Sequence, residues 1–122
     1  MKRILLVATA LLFAAPAIAQ HAHEKGPNGG PMEDVAGVEV EMVAKGRTVT
    51  FNVFDEAKKP VSTAGFSGTA LLTAGSDRET LPLVAEGNAL KGDAKKDIAT
   101  GSAVTVTLKT ADGKSGQAKF KN

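Results

Sequence analysis

The residue types in this chain that could do metal chemistry sit together near its N-terminus. His21-Ala22-His23-Glu24 opens the stretch HAHEKGPNGGPM, which runs to Met32 and holds both histidines of the sequence. Imidazole suits Zn²⁺, Cu²⁺ and Ni²⁺, and a nearby carboxylate such as Glu24 can complete a borderline donor set. Met32 adds a soft thioether of the kind that takes Cu⁺. With a mature chain beginning at Gln20, His21 would be its second residue and would chelate together with the terminal amine. Loss of Gln20 would make His23 the third residue. The amine, two deprotonated amides and that imidazole would then form a square-planar set suited to Cu²⁺ or Ni²⁺. Two histidines without a third, or a cysteine, are not a structural zinc signature. The competing reading is a polar leader that binds nothing.

Catalytic constellations are thin. Nucleophilic catalysis needs an activated Cys, Ser or Lys with a base held beside it. The chain has no cysteine, and its imidazoles lie in a Gly/Pro-rich segment ill suited to holding a base against a nucleophile. Glu39 and Glu41 alternate along a strand pattern, which puts them on one face about 7 Å apart. They read as a solvated strand face rather than as a buried acid/base pair. The chain is expected to be non-enzymatic and to need no organic cofactor.

The elements that position these residues begin with a targeting segment. Lys2 and Arg3 precede an apolar run from Ile4 to Ala15, and Ala17-Ile18-Ala19 supplies an A-x-A cleavage signal. The run is short of the ~20 residues that a bilayer span needs. Residues 1–19 therefore read as a cleaved signal peptide. Residues 20–33 read as a flexible N-terminal segment and turn, and 34–122 as one domain. The expected location is the periplasm, with no stable membrane insertion after cleavage. The whole chain has 15 Lys+Arg against 13 Asp+Glu. Removing Lys2 and Arg3 leaves 13 against 13. A neutral mature chain argues against nucleic acid as a partner and against a polybasic membrane-surface role.

The remainder is patterned as β-strands. Thr48–Phe54 (TVTFNVF) and Val38–Met42 (VEVEM) alternate with period two. A turn centred on Lys45-Gly46 would set Met42 against Val49, Val40 against Phe51 and Val38 against Val53. At the C-terminus, a three-residue loop of Ala111-Asp112-Gly113 would set Val106 against Ala118 and Val104 against Phe120, with Gly113 left-handed. FSGTALLT and TLPLVA read as further strands, Pro82 marking an edge position, and Ala89–Gly92 as a short one. No stretch forms a convincing amphipathic helix. The pattern predicts an all-β chain, an immunoglobulin-like β-sandwich of about seven short antiparallel strands, with a small Greek-key barrel as the alternative.

Two motifs resemble a known family. Gly26-Pro27-Asn28-Gly29-Gly30, then Glu33-Asp34, Gly37 and Glu39-Val40-Glu41, is similar to the opening of the small β-rich N-terminal domain of heavy-metal efflux adaptor (membrane-fusion) proteins. Phe51-Asn52-Val53-Phe54-Asp55, followed by Lys59-Pro60-Val61, resembles the next element of that domain. The resemblance implies a free-standing relative, because no lipoyl-like segment or coiled-coil hairpin is present. It implies a role near Cu, Zn, Co or Ni handling, beside a periplasmic component of a metal efflux system. Asn28 stands where many relatives have histidine, which removes one potential ligand.

Two functions follow as expectations. One is a periplasmic metal-binding accessory protein with His21, His23, Glu24 and Met32 as ligands. The other is a metal-free interaction module that binds a partner through an edge strand or loops.

Overall fold

The computed structural model describes residues 25–122. The expected signal peptide, and with it His21, His23 and Glu24, lies outside the described residues. Among those described there are eight strands and no α-helix. They are β1 (Met32–Val35), β2 (Val38–Lys45), β3 (Thr48–Phe54) and β4 (Ser67–Ala74), then β5 (Asp77–Glu86), β6 (Ala89–Asp93), β7 (Ala103–Lys109) and β8 (Ser115–Lys121). Every pairing is antiparallel, and the strand order is β1-β2-β3-β6-β5-β4-β7-β8. Strands β4, β5 and β6 are joined by tight turns, while β3 lies beside β6 and β7 beside β4. Each arrangement is a Greek key.

Strand β5 turns this one sheet into two layers. Its residues 77–83 pair with β4, and 84–86 pair with β6. A strand that changes partners part-way makes a corner. Pro82 sits in the half bonded only to β4, so its missing N–H removes no hydrogen bond to β6. One layer is then β1-β2-β3-β6 with the end of β5. The other is the start of β5 with β4, β7 and β8.

The inward side chains of both layers meet in a single core. Val40, Met42, Val49, Phe51 and Leu90 come from the first layer, and Ala70, Leu81, Val104, Val106, Leu108 and Phe120 from the second. Phe51 and Phe120 join the layers, with ring centroids 5.7 Å apart at a tilt of 55°. Fully burying a side chain of this size contributes about 1.5–3 kcal/mol.

Turn chemistry sets the registers. Thr110 N–H donates to the Lys114 carbonyl at 2.8 Å, which closes the loop Ala111-Asp112-Gly113 with Gly113 at φ 88°. Val106 pairs with Ala118 and Val104 with Phe120, as the alternation predicts. The β2–β3 register differs from expectation by two residues: Met42 pairs with Phe51, Val40 with Val53 and Lys45 with Thr48. The turn centres on Gly46-Arg47 because a two-residue turn of this kind wants its left-handed glycine first, and Gly46 has φ 59°. Moving the turn by one residue moves each partner by two, so inward residues still meet inward residues.

The outer strands β1 and β8 approach without pairing. A Cβ on Gly116 of β8 would lie 2.9 Å from the Ala36 backbone nitrogen and 3.5 Å from Val35 Cγ1. The seam is therefore closed at that end. At its other end it widens into a groove of about 630 Å³ lined by Pro31, Glu33, Ala103 and Phe120, among others. Gly116→Val is expected to cost about 1–3 kcal/mol in urea unfolding, because the backbone of Ala36 cannot yield as a side chain would. Ser115→Val, on the exposed face one residue away, should stay within about 0.5 kcal/mol of the unaltered chain.

Candidate functional site

The G-P-N-G-G motif forms a tight turn laid against β2. Gly26 N–H donates to the Gly30 carbonyl at 2.7 Å, and Gly29 N–H to the Gly26 carbonyl at 2.9 Å. Lys25 and Pro31 form an isolated antiparallel bridge. Pro31 then accepts from Met42 N–H at 3.0 Å, which ties the turn to β2.

The centre of the turn is closed by Glu41. Its Oε2 accepts from the backbone N–H groups of Asn28 at 2.8 Å and Gly30 at 3.0 Å. Its Oε1 accepts from Asn28 Nδ2 at 2.8 Å. Glu41 has 0% exposure. Three donors aimed at one carboxylate are what a buried, acceptor-only group requires. The glycines leave room for it. A Cβ on Gly26 would lie 2.4 Å from Glu41 Cδ, and one on Gly30 would lie 2.0 Å from the Met42 carbonyl oxygen.

This corrects the sequence reading of Glu39 and Glu41 as a solvated pair. Alternation does put them on one face, but the turn folds back over Glu41 and removes it from water. Glu39 is half-buried, with the Lys58 ammonium 2.9 Å from its Oε2. That contact is a close ion pair without the alignment of a hydrogen bond. The two carboxylates thus have separate partners, and neither geometry offers an acid/base pair.

Met32, the thioether of the expected ligand set, is the one member of that set within the described residues. It is 9% exposed and lies directly across from Glu41 in the β1–β2 register, on the same face. The structure therefore places Met32 with Glu41, while His21, His23 and Glu24 lie outside the described residues. The segment bearing them joins the domain at Lys25, which is exposed and bridged to Pro31 at the lip of the β1–β8 groove. Among the described residues, no three His, Cys, Asp or Glu side chains gather as a metal cage.

The second motif folds over the same outer face. Phe54 points away from the main core yet is only 5% exposed. The chain doubles back to pair it with Pro60, around a turn in which Asp55 Oδ1 accepts from the N–H groups of Ala57 at 2.9 Å and Lys59 at 3.0 Å. Further on, the buried Thr63 hydroxyl lies 3.0 Å from the Gly87 carbonyl and 2.9 Å from that of Ala89. Asn28 and Glu41 were not legible as a pair from alternation. The available signal was Gly26 and Gly30 flanking Asn28, a pattern that marks close approach of the backbone to another group.

Asp112, in the β7–β8 loop, has its carboxyl held below the usual carboxylate range. The chief cause is a hydrogen bond from the Thr110 hydroxyl, with the Lys114 charge a smaller one. It shapes the loop and lies far along the chain from the motifs above.

Compared with known proteins, the chain matches no family model, no curated protein and no solved structure.

Removing the central carboxylate should loosen the turn and weaken the fold together. Glu41→Ala is expected to cost about 3–5 kcal/mol in urea unfolding, because three donors lose a charged acceptor. Asn28→Ala should cost about 1–2 kcal/mol, because Oε1 loses one partner while Oε2 keeps both.

Proposed function

We propose that this chain is an exported, periplasmic metal-binding accessory protein linked to heavy-metal efflux or homeostasis. The ligands are His21, His23 and Glu24, taking a copper, zinc, nickel or cobalt ion. The observation that supports this most is the turn that follows them. Gly26–Pro31 is fastened to β2 by Glu41, so the ligand-bearing segment is attached to a fixed point on the barrel. A ligand arm with a fixed base can take up an ion and hand it on. The resemblance of the G-P-N-G-G and F-N-V-F-D elements to efflux-adaptor domains supports the same reading. Met32, buried across from Glu41, is a weak fourth ligand of the proposed set.

Titration calorimetry on the exported protein tests this. The unaltered chain should bind at least one of Cu²⁺, Zn²⁺, Ni²⁺ or Co²⁺ more tightly than ~10 μM, about −7 kcal/mol. His21→Ala/His23→Ala should abolish that binding with no change in unfolding midpoint. Binding weaker than this for all the ions, or binding that survives the double substitution, contradicts the reading.

The seam supports a second reading, a module that binds an extended peptide by strand addition. Strands β1 and β8 are each paired on one side only, and a groove separates them at one end. Capture of a partner that survives both chelation and the double histidine substitution would favour it.

A further inference from the structure

The charges of this molecule are segregated between its two outer faces. The outward positions of β4, β5, β7 and β8 follow from the registers, with Thr73 opposite Arg78, Ser67 opposite Lys109, and Thr105 opposite Lys119. Gln117 Nε2 donating to Thr107 Oγ1 at 3.1 Å confirms that these side chains share one face. Arg78, Lys109, Lys119 and Lys121 all stand on it and are exposed. Among the described residues of these strands, no Asp or Glu stands between them. Carboxylates come in only at the ends, at Asp77 where β5 begins and at Asp112 in the β7–β8 loop. The space between the cations is filled by hydroxyls, those of Thr69, Thr73, Thr80, Thr105 and Thr107.

The opposite layer is mixed in charge. Asp34, Glu39, Glu86 and Asp93 are on its outward positions with Lys45 and Lys91, and Lys58 from the loop after β3 pairs with Glu39 there. The balance of 13 cationic against 13 anionic residues that remains without Lys2 and Arg3 therefore hides a polarity. Four strands about 4.8 Å apart and about seven residues long make the cationic face roughly 14 by 23 Å.

We propose that this face docks on an anionic phospholipid surface, an activity distinct from metal capture and independent of it. The choice of partner follows from what the face lacks. Protein interfaces are anchored by large aromatic or apolar side chains in pockets. Among the described residues of this face there is no aromatic side chain, and the largest apolar one, Leu71, is 36% exposed. Exposed cationic groups interleaved with hydroxyls match a plane of phosphate headgroups, which each lysine near the surface favours. The molecule would lie with β4, β5, β7 and β8 against the bilayer and with the turn at Gly26–Pro31 on the opposite layer.

Vesicle co-sedimentation tests this, with the protein as cells export it and its N-terminus read by mass spectrometry. Vesicles of phosphatidylcholine with about one-third phosphatidylglycerol are compared with phosphatidylcholine alone, at low salt. The unaltered chain should bind only the anionic vesicles, and about 0.5 M salt should release it. Lys119→Gln/Lys121→Gln should weaken binding about thirty-fold, and Lys119→Glu/Lys121→Glu further. Lys45→Glu/Lys91→Glu makes the same change in net charge on the other face and should leave binding within about three-fold. No binding by the unaltered chain overturns the proposal. So does an equal loss from the two charge-reversed variants, or saturable capture of an acidic protein by a chain that ignores the vesicles.

Discussion

A carboxylate with no exposure to water fastens the N-terminal turn to the barrel. Glu41 stands in the middle of β2, and its side chain is covered by residues that precede it in the chain. Burying a charge costs several kcal/mol unless its lone pairs are met. Here the backbone of Asn28 and Gly30 and the side-chain amide of Asn28 meet them. The arrangement fixes much else. Gly26 and Gly30 must lack side chains for the turn to come close enough. Pro31 is placed to accept from Met42, and β1 then enters the sheet with Met32 across from Glu41. The edge that results is the one facing β8, so the open seam also depends on this turn.

Two kinds of packing are layered on each other as a consequence. The inner core joins the two sheet layers through Phe51 and Phe120. A smaller outer cluster covers the far side of β2 and β3, where Glu41, Phe54 and Thr63 are buried by the turn and by the loop after β3. The outer face of the other layer has no such cover among the described residues. It is hydroxylated and cationic. One face of the barrel is thus used to anchor the segment that leads to His21 and His23, and the other remains open to solvent.

Strand alternation made the fold class legible. TVTFNVF and AVTVTLK show their inward residues directly, and the Asp112-Gly113 pair selects the three-residue loop that aligns Val104 with Phe120. The β2–β3 register was less legible, because Lys45-Gly46 and Gly46-Arg47 keep the same in/out pattern and differ only in where the glycine falls in the turn. Strand β1 was hidden for another reason. Met-Glu-Asp-Val has no clear period, and it becomes a strand only because the Glu41 anchor delivers it to the edge of β2. Glu41 itself was misread because alternation shows which face a residue is on, not whether another segment will cover that face.

The anchoring of the turn can be measured in the unaltered chain by amide hydrogen exchange. The N–H groups of Asn28 and Gly30 point at the buried Glu41 carboxylate, so they should exchange slowly, on the timescale of the β2 and β3 amides that open only with the whole fold. Exchange of these two amides at the rate of an unstructured peptide, while β2 and β3 remain protected, would contradict the account.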